Sequence, residues 1–148
     1  LDQIYMKNQA VAGVNIAYSA MNTIAWLGPC IGKHAFEVGD EVKAAFTSQS
    51  PLAEDHFVAL HNGKWLADLA GLARMQLQQL GIPTANVFGN DGSDAWCTVT
   101  QPQRFYSHRR DTATLGGSGR MAACVWLDSQ ISASSLASLK QDNEKIAT

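Results

Sequence analysis

Apolar and polar positions fall in short, sharply punctuated blocks. Thr23-Ile24-Ala25-Trp26-Leu27 is dense in β-formers and bulky apolar residues and predicts a strand. Gly28-Pro29 stops it, because Pro29 cannot donate to a ladder. A short connector leads to Gly39-Asp40 and a helix over residues 41–46, with Asp40 as the predicted N-cap, Glu41 at the positive helix end, and Val42, Ala45 and Phe46 on one face. The polar stretch from Thr47 to Pro51 ends that helix, and residues 52–55 add a turn. Upstream, Val14, Ala17, Tyr18 and Met21 recur at helical spacing and predict a helix over residues 14–21.

Residues 57–60 and 64–66 read as two strands, and Asn62-Gly63 between them marks a hairpin because both residues tolerate positive φ. Leu66, Leu69, Ala73, Leu77 and Leu80 form one stripe and predict a helix, with Asp68 near its start and Gly81 and Pro83 as stop signals. Residues 86–88 begin another strand, 89–94 form a polar loop, 96–99 are β-like, and 101–104 form a turn or a short helix start. Residues 105–108 read as extended or helical, and 112–119 as a mobile loop rich in Gly, Thr and Ser. The uninterrupted apolar run over 121–127 suits a strand buried on both faces. Residues 128–148 turn polar; Ile131, Leu136, Leu139 and Ile146 leave a thin helical stripe and a frayed tail as alternatives.

Composition narrows the class. A chain of 148 residues with 46% hydrophobic residues is one domain, or a large part of one, with a real core. A net charge of −2 argues against general nucleic-acid binding, which needs a basic surface. No apolar run reaches membrane-spanning length, and the first residues lack the basic start and apolar centre of a signal peptide, so a cytoplasmic location is the expectation. Three cysteines without regular spacing argue for reduced thiols over a disulfide framework.

Two separated blocks carry a family resemblance. Gly28-Pro29-Cys30-Ile31-Gly32 with Phe36-Glu37-Val38-Gly39-Asp40-Glu41-Val42 is the first. Cys97-Thr98, then Arg104-Phe105-Tyr106-Ser107-His108-Arg109-Arg110-Asp111, then Gly119-Arg120-Met121-Ala122 is the second. Together they resemble the YfiH family, also called laccase-domain or multicopper polyphenol oxidase proteins and treated as purine nucleoside phosphorylases. The likeness runs over about residues 11–127; His108 stands where the pattern usually has Tyr. It implies an α/β (α+β) fold, a layered mixed β-sheet with helices packed on it. Residues 1–127 would be a partial laccase domain with the N-terminal half of the fold missing, and 128–148 a polar tail.

The resemblance also implies chemistry: a zinc (in the older label, copper) held by two histidines and a cysteine. Those ligands belong upstream of the matched region, and none is found in residues 1–14, so no metal ligand is assigned in this chain and its catalytic residues stay unassigned. Exposed strand edges in such a partial fold imply a homo-oligomer, or a partner that supplies the missing layer. Purine nucleoside and phosphate are the implied small molecules, and neither nucleic acid nor membrane is expected. The alternative is an inactive domain that acts as a self-associating or partner-binding module.

For phosphate, Arg109, Arg110 and Arg120, with Arg104 nearby, offer guanidinium forks, and the alternative is a set of structural ion pairs that anchor the C-terminal strand. Gly28, Ile31 and Gly32 offer a backbone cradle, and the alternative is a sharp turn whose glycines serve geometry. His34, His56, His61, His108, Cys30 and Cys97 show no zinc-ligand spacing. Cys97 with His108 is conceivable as a nucleophile pair only by analogy with bacterial toxin deamidases of similar fold.

Overall fold

Strands need partners, and here the partners lie in two separate sheets. In a computed structural model of the chain, residues 20–125 are described. Ala25–Leu27 forms β1, which pairs in parallel with β5, Val87–Gly89, in the register Ala25 to Val87, Trp26 to Phe88 and Leu27 to Gly89. Glu37–Gly39 forms β2, Phe57–Ala59 β3 and Lys64–Ala67 β4, and these make an antiparallel sheet in the order β2-β4-β3. The described residues thus form a mixed α/β arrangement with one parallel and one antiparallel sheet. β2 occupies what the sequence reads as connector; Val38 is its buried residue, and a strand this short gives no periodic signal.

Helix α1, Asp40–Thr47, starts one residue earlier than the sequence predicts. Gly39 is its N-cap and makes no side-chain bond, while the Asp40 carboxylate accepts the Trp65 indole N–H. Val42 and Phe46 pack on the core, but Ala45 faces outward. A 3-10 segment, Pro51–His56, carries the chain into β3. The hairpin forms as expected, with Asn62 at φ 63° and Gly63 at φ 68°.

Helix α2, Leu69–Gln79, is capped by Asp68, whose carboxylate accepts the Gly71 N–H at 2.9 Å. It ends at Gly81, φ 82°, where the Ile82 N–H bonds the Leu77 carbonyl. Its buried residues are Ala70, Leu72 and Met75, not the predicted stripe. Leu66 belongs to β4, and Leu69, Ala73, Leu77 and Leu80 are half-buried. Leu72 and Met75 join Val38, Ala53, Phe57 and Ala67 in the larger core, whereas Leu77 packs on a smaller one built from Ala20, Ile82 and Val87. Arg74 adds a polar tie, donating to the Val87 and Asn90 carbonyls.

The C-terminal region departs furthest from expectation. Residues 96–99 contribute a single parallel bridge, Cys97 to Cys30, after a 3-10 turn at Asp94–Trp96. Helix α3, His108–Leu115, runs through the first half of the predicted mobile loop and closes at Gly116, φ 71°. It buries only Asp111, so caps rather than an apolar stripe define it. Residues 121–125 form no strand and are exposed, with Val125 at 97%, because no described strand lies beside them to pair with. Ala20 and Met21 are helical, while the rest of the expected 14–21 helix and the 128–148 tail lie outside the described residues.

Candidate functional site

The turn after β1 is held from beneath by Asn90. This residue is 2% exposed, donates from Nδ2 to the Gly28 carbonyl and to Cys30 Sγ, and accepts the Gly92 N–H on Oδ1. The chain then meets Cys97 across the parallel bridge, where the Thr98 N–H donates to the Cys30 carbonyl at 2.9 Å. The Gly32 N–H points at Cys97 Sγ, 3.2 Å away, and a Cβ on Gly32 would stand 2.9 Å from the Cys97 Cβ. Gly32 therefore permits close packing, and its N–H is already engaged. Ile31 is half-buried, and its carbonyl accepts from the Cys30 thiol.

The two thiols sit in opposite environments. Burial pushes the Cys97 thiol up, but the Thr100 hydroxyl and the N–H groups of Thr100, Gly32 and Val99 outweigh it and hold the group below its ordinary value. Burial also pushes Cys30 up; the Asn90 amide opposes this, and the negative fields of Asp68 and Cys97 add to it, leaving Cys30 raised.

The arginines divide by role. Arg110 spends its fork inside the protein: Nε donates to Asp111, Nη1 to the Thr98 and Val99 carbonyls, and Nη2 to the Phe105 carbonyl. It ties the 98–105 segment to the start of α3. Arg109 is exposed, donates once to the Glu37 carbonyl and lies over the Phe36 ring. Arg104 bonds the Ala95 carbonyl, and exposed Arg120 bonds the carbonyls of Ser118 and Gly119 beside it. Arg104, Arg109 and Arg120 are thus the guanidinium groups left facing solvent with few partners.

A polar cleft of about 450 Å³, not singled out by the sequence, is lined by Lys33, His34, Asp55, His56 and Asp68, with Val58 and Leu66 as apolar wall. These residues come from the turn before β2, the end of the 3-10 segment and the N-cap of α2, so no linear motif marks them. The usable signal is the hairpin: pairing β3 with β4 brings His56 to Asp68, whose N–H donates to the His56 carbonyl at 2.9 Å. His34 Nδ1 lies 3.3 Å from Asp94 Oδ1. His61 is exposed beside the hairpin turn, and His108 pairs with the Thr112 hydroxyl. No hydrogen bond joins Cys97 and His108 among the described residues, and no three His, Cys, Asp or Glu side chains there converge to hold a metal ion. The described residues thus do not fit a zinc or copper centre. A second groove, about 530 Å³, runs along Leu27, Ala73, Leu77 and Leu80 with three glutamines beside them. No helix among the described residues is long and apolar enough to cross a membrane.

A family model described as multi-copper polyphenol oxidoreductase laccase matches residues 3–128. The purine nucleoside phosphorylase YfiH of Escherichia coli is 44% identical over 106 residues, covering 72% of this chain and 39% of that protein. A purine nucleoside phosphorylase of Xylella fastidiosa is 41% identical over 103 residues, covering 70% of this chain and 36% of its own length. The crystal structure of a Bacillus licheniformis YfiH superposes with a TM-score of 0.60 at 27% identity, covering 76% of this chain and 40% of that one. A Neisseria meningitidis structure gives 0.54 at 43% identity, over 63% of this chain and 35% of that one. The chain thus spans well under half the length of these relatives.

Proposed function

The chain belongs to the multi-copper polyphenol oxidoreductase laccase family, and from that membership we propose that its chemistry is purine nucleoside phosphorolysis. The observation that carries this is the identity of 41–44% to relatives named purine nucleoside phosphorylase. The cleft supports it: the Lys33 ammonium suits phosphate, and Asp55 and Asp68 suit the hydroxyls of a sugar. Arg109 is an exposed fork that donates only from Nη1, to the Glu37 carbonyl, and keeps donors for an anion. No step is assigned to zinc or copper, because the described residues do not build a site for either.

The test is phosphate-dependent release of hypoxanthine from inosine by the folded chain, with and without added zinc. Release well above a heat-killed control is expected. A folded protein that releases nothing under either condition overturns the proposal.

One observation favours a second reading, a module that binds its own copies or a partner. Trp26 and Phe88 stand side by side in register and are 54% and 51% exposed, a solvent-facing aromatic pair on a short sheet. Sedimentation of the folded chain as an oligomer supports this reading, and a cooperative, concentration-independent monomer removes it.

A further inference from the structure

Cys30 and Cys97 are both free and are each other's registered partners across the parallel bridge. Bridged strands lie about 4.8 Å apart, inside the roughly 4.4–6.8 Å between Cα atoms that a disulfide spans. Both sulfurs address the same turn. Cys97 Sγ receives the Gly32 N–H, while Cys30 Sγ receives the Asn90 amide and lies by the Ile31 carbonyl. The buried Asn90 fixes the Cys30 side, and the Thr98 to Cys30 backbone bond fixes the strand spacing. Cys97 is 1% exposed, whereas Cys30 is half-buried and open to a small reagent.

We propose that Cys30 and Cys97 form a reversible intramolecular disulfide, with a small-molecule disulfide such as oxidised glutathione as the oxidant. The Cys30 thiolate attacks one sulfur of the oxidant, and a first thiolate leaves. Cys97 then attacks the Cys30 sulfur of the mixed disulfide, and a second thiolate leaves. The protein loses two thiol protons and two electrons, and one disulfide becomes two small thiols once protonated. The unequal environments suit this order. Cys97, held toward its thiolate by surrounding donors, is the resolving group, and scarce Cys30 thiolate makes the first step slow and faster as pH rises. The closed bond would fasten the turn after β1 to the strand residue just before Thr98, whose carbonyl Arg110 holds.

The experiment uses the full chain carrying Cys124→Ser, which removes the exposed third thiol. The protein is equilibrated with oxidised and reduced glutathione, quenched by alkylation, and read by intact mass and peptide mapping. The expected result is loss of both remaining thiols, no retained glutathione, and a peptide joining Cys30 to Cys97. A reductant should restore both thiols, and in Cys97→Ala the Cys30 site should keep glutathione as a mixed disulfide. A mixed disulfide that persists on Cys30 with Cys97 alkylated in the Cys124→Ser chain overturns the proposal. So does a chain in which both thiols stay free at strongly oxidising ratios.

Discussion

Arg110 and Asp111, adjacent in sequence, close a ring at the start of α3: Arg110 Nε donates to Asp111 Oδ1 at 2.6 Å, while Asp111 Oδ2 accepts the Ser107 N–H at 2.8 Å. The Ser107 hydroxyl returns the favour by accepting the Arg110 N–H. This reciprocal cap holds a helix with almost no apolar face.

Arg110→Ala should therefore cost stability rather than binding alone, on the order of 3 kcal/mol, because several carbonyls and a carboxylate lose a charged donor at once. Arg110→Lys should recover little, since an ammonium cannot reach the same acceptors as a planar fork. Urea unfolding of these variants beside Arg120→Ala is the check. Equal midpoints for Arg110→Ala and Arg120→Ala would contradict the clamp.

Acid should dissolve the same ring. The Ser107 N–H and then the Arg110 guanidinium hold the Asp111 carboxyl below its usual value, against a smaller opposing effect of burial. A depressed folded-state pKa stabilises fully above the unfolded value, about 3.9 for Asp, and the contribution fades as pH falls through the folded-state value. Asp111→Asn should melt earlier than wild type near neutrality, with the gap closing below about pH 4. A gap that stays constant across that range would assign the loss to packing.

Gly32→Ala should destabilise by about 1–3 kcal/mol, because the new methyl meets the buried Cys97 Cβ at 2.9 Å. Gly28→Ala meets only the outer ring atoms of the exposed Trp26, at 3.1 Å, and should cost less. Thermal denaturation of the two variants distinguishes a packing glycine from one kept for anion contact. The order would reverse, or vanish, if closeness to Cys97 were not the constraint.

Asn90→Ala leaves the Gly28 carbonyl and the Gly92 N–H without their buried partner, at about 2–3 kcal/mol. Loss of its amide near Cys30 should also change the rate at which that thiol reacts with a neutral alkylating reagent. Denaturant midpoints and alkylation rates, measured on the same samples, test both effects. Unchanged values on both counts would show that Asn90 does not hold the turn.

The sequence makes some of this legible for local reasons. Asn62-Gly63 announces the hairpin because two consecutive positive φ values select those residues. Gly81 and Asp68 bracket α2 by cap chemistry. Which face of α2 is buried is not legible, since helix periodicity says that a stripe exists, while two cores on different sides decide how it is shared. Helix α3 escapes because Arg, Asp and Thr carry no apolar rhythm and its caps work through side chains that reach backbone groups three and four residues away. The arginine pair is visible as a block, but only the carbonyls of Thr98, Val99 and Phe105, brought in by the fold, separate Arg110 the clamp from Arg109, an exposed fork. The cleft at Lys33, His34 and His56 is invisible in one dimension because its walls come from separated segments.

The parallel pairing of β1 with β5 has a consequence for synthesis on the ribosome. β1 precedes its partner in the chain by a long way, for β5 begins only at Val87, after α1, the antiparallel sheet and α2 have all been made. The antiparallel sheet and helices α1 and α2 close shorter loops and can assemble as they appear, whereas the pairing of β1 with β5 must wait for a long loop to close. Through that interval Ala25, Trp26 and Leu27 lack their β5 partners. A nascent chain stalled before Val87 is thus the species most exposed to wrong pairing, and the one a chaperone would have most reason to hold.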